Sequence, residues 1–206
     1  MSDLPEIPGP IGADGVARCW WCRDDELYVD YHDNEWGRPV TDDRRLFEKI
    51  CLEGFQAGLS WITILRKREN FRDAFADFDF EKVARFNSRS VEKLLKNEGI
   101  IRHRGKIEAT INNAKRAIEL VEDVGSLSDY FWQFADESGI GDGTMTAQTE
   151  TSQRLSKDLR RMGWKFVGPT TAYAFMQAMG LVNDHVPGCK FLSEVESARQ
   201  AVLPKA

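Results

Sequence analysis

Residues 51–68 read Cys-Leu-Glu-Gly-Phe-Gln-Ala-Gly-Leu-Ser-Trp-Ile-Thr-Ile-Leu-Arg-Lys-Arg. In this segment Glu53 lies between apolar neighbours, and we expect Gly54 and Gly58 to interrupt the helical pattern. Ser60 is suited to cap a second helix that carries a tryptophan inward and runs out into three cations. An acid, a glycine hinge, an aromatic face and a basic rim together indicate a site for a flat polar ligand attached to a polyanion. An ordinary helix–loop–helix, with Glu53 in solvent, is the alternative.

The composition limits the classes of protein to which the chain can belong. Its 206 residues, 42% of them hydrophobic, can bury a core in one domain or in two small lobes. The net charge of −5 gives no overall positive field, although a local basic face can still bind nucleic acid. The longest apolar runs are too short to cross a bilayer, and the first residues lack the basic-then-apolar order of a signal peptide. We therefore expect a cytoplasmic protein, not bound to membranes, whose four cysteines are reduced or bind metal.

The order of apolar residues predicts an all-α fold. Residues 1–17 are rich in proline, glycine and acid, and we interpret them as a disordered leader outside the core. The clearest helical period runs from Ile107 to Val121 and is stopped by Gly125. The sequence shows neither a convincing strand pattern nor an internal repeat. Capping and turn residues predict further elements, namely helices that start at Thr41 or Asp42, Asp79, Ser90 and Ser128, and a loop over 136–151.

A pair of helices follows the predicted loop. Leu155 and Leu159 line the first helix, which ends at Gly163, and Pro169 starts the second, which ends at Gly180. Glycine at the corners and proline in the first turn are what a tight helix-hairpin-helix requires. Its connection exposes backbone N–H groups and the positive end of a helix dipole, both of which are suited to bind a phosphate. The alternative is that the charged side chains of these helices only face solvent, as they do in many helices. The element carries five cations and a single acid, namely Arg154, Lys157, Arg160, Arg161, Lys165 and Asp158.

Cysteine and histidine residues occur near both ends of the chain. His185 and Cys189 form a His-x₃-Cys pair, which is one half of a zinc site. Spacing alone favours Cys19 and Cys22 as the other half, whereas Cys19 and His32 form the competing set. Either set has four protein ligands and no open position, so the metal would be structural and would join the two ends of the chain. The alternative is four unligated side chains, with the thiols buried as small hydrophobic groups.

Five motifs in a fixed order make the chain similar to a known family. They are Tyr31-His-Asp-Asn-Glu-Trp-Gly37, Cys51-Leu-Glu-Gly54 with Gln56-Ala-Gly-Leu-Ser-Trp61, Ile100-Ile-Arg-His-Arg-Gly-Lys106, Lys165-Phe-Val-Gly168, and Val182-Asn-Asp-His185 with Gly188-Cys189. On these motifs the chain resembles the bacterial 3-methyladenine DNA glycosylase I family. The likeness runs from about Arg18 to Cys189 and leaves out the leader and the C-terminal tail.

The resemblance implies a fold, a domain order and a metal. The family is all-helical and belongs to the helix-hairpin-helix DNA glycosylases. It implies a glycosylase domain over 18–190, with the hairpin motif near 152–180 and a tail over 191–206. We expect a monomer, because nothing in the sequence demands a dimer. One structural zinc ion per chain is implied, with Cys22 left out and four ligands, namely Cys19, His32, His185 and Cys189.

The resemblance also implies a role for each residue of the site. Glu53 is implied as the residue that recognises the base and is catalytic in that sense, and Trp61 as its stacking partner. Leu59, with Gly58 before it, is implied to enter the gap left by the extruded base, and Lys165 and Gly168 of the hairpin are expected to contact DNA. Further aromatic residues of the base pocket are implied at Trp21, Tyr28, Tyr31 and Trp36.

The implied activity is excision of N3-methyladenine from alkylated double-stranded DNA, with free 3-methyladenine as product. The nucleotide must first be flipped out of the duplex. Its methylated ring is cationic, so it gains about 2 kcal/mol from an aromatic face when desolvated and roughly 1.5–3 kcal/mol from a carboxylate. The base leaves neutral and needs no proton, which agrees with the lack of any acid from Phe166 through Val182, where most related glycosylases use an aspartate.

Two other classes of protein fit part of the pattern. A zinc-stapled DNA-binding module without catalysis would keep the hairpin and the basic face but lack an intact pocket, whereas all the pocket positions are present here. A zinc hydrolase or deaminase needs an open metal position, typically a His/Cys/Cys set with a neighbouring glutamate. Glu35 lies three residues from His32, but the paired Pro-Cys-x-x-Cys signature is missing.

Overall fold

The protein is helical throughout the residues that its structure describes. The computed structural model describes residues 11–135 and 146–203, in which no β-strand occurs and Ile11 and Ala17 form an isolated bridge. The predicted all-α class is therefore confirmed. Within the same residues, no helix is both long enough and apolar enough to span a bilayer. The helices are α1 (Glu26–Asn34), α2 (Asp43–Gln56), α3 (Trp61–Leu65), α4 (Arg68–Ala74), α5 (Phe80–Val83), α6 (Ser88–Leu95), α7 (Arg104–Val124), α8 (Leu127–Phe131), α9 (Glu150–Arg161), α10 (Pro169–Ala178) and α11 (Leu192–Gln200).

Side-chain caps set the beginning of several helices. The carboxylates of Asp42 and Asp79 accept backbone N–H groups in the first turns of α2 and α5, which confirms both predicted starts. The prediction that Ser90 opens α6 is wrong, because the helix begins two residues earlier, at Ser88. Asn87 is its N-cap, and Ser90 completes a capping box with Asn87.

The boundaries of α7, α8 and α9 agree with the sequence only in part. Helix α7 ends at Val124, and Gly125 follows with a φ of 99°, which confirms the predicted stop. Helix α8 begins before the predicted Ser128, and the Ser126 hydroxyl oxygen accepts the Asp129 N–H at 2.8 Å. The last two residues of the predicted loop over 136–151 belong to α9, and residues 136–145 lie outside the described part of the chain.

Helix α2 runs through Gly54, which corrects the prediction that this glycine interrupts it. A Cβ atom at this position would lie 3.2 Å from the Cβ of Phe166, so close packing explains the glycine. The chain turns instead at Gly58, where φ is +82°. Ser60 precedes α3 as predicted, but its hydroxyl group lies 2.8 Å from that of Thr63 and makes no backbone cap.

The chain divides into two compact units. The first comprises Met1–Val40, Phe131–Ala147 and Met176–Ala206, and the second comprises Thr41–Tyr130 and Gln148–Phe175. In the first unit the predicted tail contains α11, and its buried Arg199 donates to the backbone carbonyls of Gly180 and Leu181, which follow α10. The core of the second unit contains a group of fully buried aromatic side chains, namely Phe47, Phe55, Phe71, Phe75 and Phe78.

Candidate functional site

Two cysteines and two histidines from distant parts of the sequence meet in the first unit. Their ligand atoms all lie within 4.8 Å of one another, and all four residues are buried. Zinc bonds of about 2.3 Å to sulfur and about 2.0–2.1 Å to nitrogen require ligand atoms this close to one another. The thiol of Cys22 lies outside the cluster and donates to the Cys19 carbonyl oxygen at 3.0 Å. The four residues of the cluster are Cys19, His32, His185 and Cys189.

Both histidines are oriented by a hydrogen bond at Nδ1. The Nδ1 atom of His32 lies 2.8 Å from an oxygen of Asp33, and that of His185 lies 3.0 Å from the side-chain oxygen of Asn183. The amide oxygen of Asn183 can only accept, so His185 carries its proton on Nδ1. Its Nε2 atom is buried and has no hydrogen-bond partner in the described residues. A buried lone pair of this kind is costly unless something binds it, and a metal ion would do so.

The groups around the cluster set its charge. Burial lowers the pKa of His185 to about 3, so its ring is neutral and able to bind a metal at physiological pH. The hydrogen bond between the two thiols raises the pKa of Cys19 and lowers that of Cys189. Although burial opposes it, hydrogen bonds from Arg18 and His32 hold the pKa of Asp33 below its ordinary value. Asp33 is therefore an anion that orients His32.

A cluster of aromatic rings lies beside the metal ligands in the first unit. The ring of Trp21 is at its centre, with centroid distances of 5.1 Å to Tyr28, 6.3 Å to Tyr31 and 5.0 Å to Trp36. The ring of His32 lies 5.3 Å from that of Trp21 and is stacked on Trp36 at 6.1 Å. The structure thus brings together the four aromatic residues that the resemblance implies for the pocket. A metal ion bound to His32 would also fix its imidazole ring, against which Trp21 and Trp36 pack.

In the second unit, Glu53 is buried near the end of α2. One of its oxygens lies 2.8 Å from the ammonium nitrogen of Lys49, one helical turn earlier. The same nitrogen lies 3.2 Å from the centre of the Trp61 ring. The structure therefore places Glu53 and Trp61 around one position and adds Lys49, which the sequence interpretation missed. The i,i+4 spacing was visible in the sequence, but it is equally common in exposed pairs.

The loop after α2 presents Leu59 to solvent with 42% of its surface exposed. Gly58 precedes it and has the left-handed backbone that favours glycine. The buried ammonium of Lys106, from α7, donates to the carbonyl oxygens of Phe55 at 2.8 Å and Ala57 at 2.6 Å. Carbonyl groups at the end of a helix have no partner within the helix, and Lys106 supplies one. It thereby fixes the point from which the Gly58–Leu59 loop leaves α2.

Replacing Lys106 with methionine should lower the free energy of unfolding by roughly 1–3 kcal/mol, because carbonyl groups of α2 lose their donor. Burial lowers the pKa of Lys106, and the cost of burying its charge keeps the effect from being larger. Urea unfolding of the purified variant measures the change. K115M removes an exposed lysine from the same helix and should differ from the native protein by about 0.5 kcal/mol or less. Equal stabilities of the two variants would contradict the role given to Lys106.

The connection between α9 and α10 is held by a side chain of α7. Asn113 accepts the Lys165 N–H at 2.8 Å and donates to the Lys165 carbonyl oxygen at 2.9 Å. The side chain of Lys165 is exposed and Gly168 is half-buried, so both predicted DNA contacts lie at the surface. Phe166 has a φ of 56° and is 39% exposed. The exposure of Phe166 could not be recognised from the sequence, where the residue appears only as one member of the motif Lys165-Phe-Val-Gly168.

Comparison with known proteins shows the family to which the chain is similar. The sequence matches the methyladenine glycosylase family over residues 21–193, which is most of the chain. The chain belongs to this family. The match includes the aromatic cluster, the buried acid of α2, the two helices α9 and α10, and three of the four clustered metal-ligand candidates.

Individual members of the methyladenine glycosylase family are similar along nearly their whole length. The DNA-3-methyladenine glycosylase 1 of Escherichia coli K12 is 51% identical over 179 residues, covering 84% of this chain and 96% of that protein. A crystal structure of a 3-methyladenine DNA glycosylase I is also 51% identical, with a TM-score of 0.81 over 84% of this chain and 98% of that one. A variant solved in complex with 3-methyladenine is 34% identical, with a TM-score of 0.80 over 85% and 97% of the two chains.

Proposed function

We propose that this methyladenine glycosylase excises N3-methyladenine from alkylated double-stranded DNA by hydrolysing the bond between the base and its sugar. The observation that carries the proposal is the buried carboxylate of Glu53, which shares one position with the ring of Trp61. A flat cation is attracted by both groups, and ordinary adenine, which is neutral, gains less from each. The 51% identity to the Escherichia coli DNA-3-methyladenine glycosylase supports the same substrate.

Four aromatic residues of the first unit are further base-binding residues in this proposal. Their arrangement supports this role, because the rings form one cluster of edge-to-face and tilted contacts around Trp21. Aromatic residues stack on the flipped base in enzymes that act on single nucleotides. The proposed residues are Trp21, Tyr28, Tyr31 and Trp36.

The chemistry needs little from the protein beyond holding the flipped base. The methylated purine carries a positive charge before the glycosidic bond breaks, and it takes the bonding electrons when it leaves. The leaving group is then neutral, so a general acid, which typically contributes about 10²–10⁴-fold, is not required. Glu53 recognises the base and stabilises positive charge near the breaking bond. It is catalytic through these contacts, and we assign it no activation of water.

A structural zinc ion is proposed at the cluster of the first unit, one per chain. The burial of the ligands, their mutual distances and the unpartnered Nε2 atom of His185 support a bound metal. Two sulfur and two imidazole ligands are typical of zinc. Four protein ligands leave no position for water or substrate, so the ion would stabilise the fold by joining the two ends of the chain. The proposed ligands are Cys19, His32, His185 and Cys189.

The helices α9 and α10 are proposed as a helix-hairpin-helix motif that binds the DNA backbone. An exposed lysine and a glycine that allows close approach, Lys165 and Gly168, support this use of the connection. Leu59 is proposed to fill the gap that the flipped nucleotide leaves, because it is an exposed apolar side chain on a turn held by Lys106. We further propose that the enzyme acts as a monomer on DNA in the cytoplasm.

Replacing Leu59 with alanine should slow excision from duplex DNA about tenfold, because an inserted apolar side chain offsets part of the few kcal/mol that unstacking a base costs. Single-turnover excision from a methylated duplex measures the loss. Leu27 is a comparably exposed leucine, at 38% against 42%, and L27A should excise at the native rate. If L59A matched L27A, the loop would have no part in nucleotide flipping.

Release of free bases from methylated DNA, identified by chromatography, tests the proposed function directly. We expect 3-methyladenine to be released while 7-methylguanine stays in the DNA. A folded, zinc-loaded protein that bound DNA but released no base would instead be a non-catalytic DNA-binding module. Release of both bases would show that the pocket does not have the proposed selectivity.

A further inference from the structure

The ammonium group of Lys49 occupies the position that Glu53 and Trp61 share. Its nitrogen lies 2.8 Å from a Glu53 oxygen and 3.2 Å from the centre of the Trp61 ring. The three residues are between 5% and 8% exposed. Most i,i+4 ion pairs on helices lie at the surface, where both charges stay hydrated. Here the lysine charge is enclosed, with a carboxylate on one side and an aromatic face on another.

The proposed function brings a second cation to the same two groups. N3-methyladenine in DNA carries its positive charge on a flat ring, which a carboxylate and a tryptophan face both attract. The Lys49 ammonium already holds a Glu53 oxygen and a face of Trp61 at contact distance. A base that takes these contacts must therefore displace the ammonium group.

We propose that Lys49 is an internal competitor for the base: its ammonium leaves Glu53 and Trp61 when the methylated nucleotide enters and returns when the product departs. This inference rests on the proposed function of the site. Exchange of one cation for another keeps the buried carboxylate of Glu53 paired. A neutral base that displaced Lys49 would leave that carboxylate without a counter-charge, which is strongly unfavourable. Lys49 therefore lowers the affinity of the site for neutral bases.

The charge of the base changes during the reaction, and this gives Lys49 a role in turnover. When the glycosidic bond breaks, its electron pair passes to the purine and cancels the positive charge. The product can no longer replace the lysine charge at Glu53. The Lys49–Glu53 ion pair re-forms as the base leaves, and its formation favours product release. The site thus holds the cationic substrate more firmly than the neutral product.

Inhibition of excision by added 3-methyladenine tests this role. The neutral variants K49M and K49Q should bind the free base roughly tenfold more tightly than the native enzyme, because no internal cation competes with it. Their inhibition constants should fall by that factor. K49R keeps a cation at the same position and is the matched control, with an inhibition constant near the native value. Thermal melting of each variant establishes that it is folded.

Each outcome bears on Lys49 separately from the proposed function. Inhibition constants that are unchanged or higher in both neutral variants would overturn the competitor role while native excision stands. If neither variant folds, the ¹⁵N signal of the Lys49 ammonium in the native protein decides, since it should shift when 3-methyladenine is added. An unmoved signal in a protein that binds the base would also overturn it. Failure of the native protein to release 3-methyladenine would refute the proposed function instead.

Discussion

Replacing Glu53 with glutamine should slow excision of 3-methyladenine by roughly 10- to 100-fold, the loss expected when a charged hydrogen bond of about 1.5–3 kcal/mol is removed. Glutamine keeps the size of the side chain and one acceptor oxygen, but it removes the charge that attracts the cationic base. The metal cluster lies in the other unit, so zinc content should not change. Single-turnover excision from methylated DNA measures the expected loss, and elemental analysis measures the zinc content.

Stability is the property that could obscure this result, because E53Q also breaks a buried ion pair with Lys49. E48Q is a matched control: Glu48 is buried in the same helix and accepts from Arg72 at 2.9 Å. It should lose comparable stability without slowing excision. The double variant K49M/E53Q removes both charges and should recover part of the stability while excision stays low. If E53Q excised the base at the native rate, Glu53 would have no role in base recognition.

Local patterns in the sequence predicted the elements that depend on neighbouring residues. The period from Ile107 to Val121 and the glycine at 125 describe α7 correctly, because both helix formation and its termination act within one or two turns. Gly54 shows the limit of such patterns. It reads as a helix breaker, yet it lies inside α2. Its lack of a side chain allows the close approach of Phe166, which lies more than a hundred residues later in the sequence.

Only the roles of site residues that the motifs identify could be predicted from the sequence. Lys49 and Asn113 belong to none of the five motifs, and Lys106 belongs to one of them without a role assigned from the sequence. Each acquires its role from groups that the fold brings near it. Lys106 and Asn113 act on backbone atoms about fifty residues away. Lys49 lies in the same helix as Glu53, but its burial against Trp61 follows from the packing of α3 on α2. Partners of this kind require the tertiary structure.

The choice between Cys22 and His32 as a metal ligand illustrates the same difference between what local sequence patterns predict and what the tertiary structure determines. Spacing favours Cys19 and Cys22, because two cysteines separated by two residues are frequent zinc ligands. In the structure the short helix Trp20–Cys22 turns the Cys22 thiol towards the Cys19 carbonyl oxygen. Helix α1 instead brings His32 to the cluster, with Asp33 fixing its ring. The two sets therefore make opposite predictions for single substitutions.

Replacing His32 with alanine should abolish stoichiometric zinc binding, whereas Cys22→Ser should keep one zinc ion per chain. A structural zinc site contributes free energy of about 10–16 kcal/mol in small zinc-binding peptides, so loss of one ligand should lower the melting temperature by roughly 10 °C or more. H32A also removes the ring that packs against Trp21 and Trp36, and excision should fall with the zinc content. Elemental analysis of the purified proteins and thermal melting measure both effects.

Treatment with a chelator distinguishes the effect of losing the metal from the effect of losing the histidine ring. If zinc supports the aromatic cluster through His32, the chelated native protein should melt near the temperature of H32A and regain its stability when zinc is restored. C22S should behave as the native protein does in both steps. Zinc retained by H32A and lost by C22S would mean that the ligand set is Cys19, Cys22, His185 and Cys189. In that case the ion would hold the Trp20–Cys22 turn directly and would have no bond to α1.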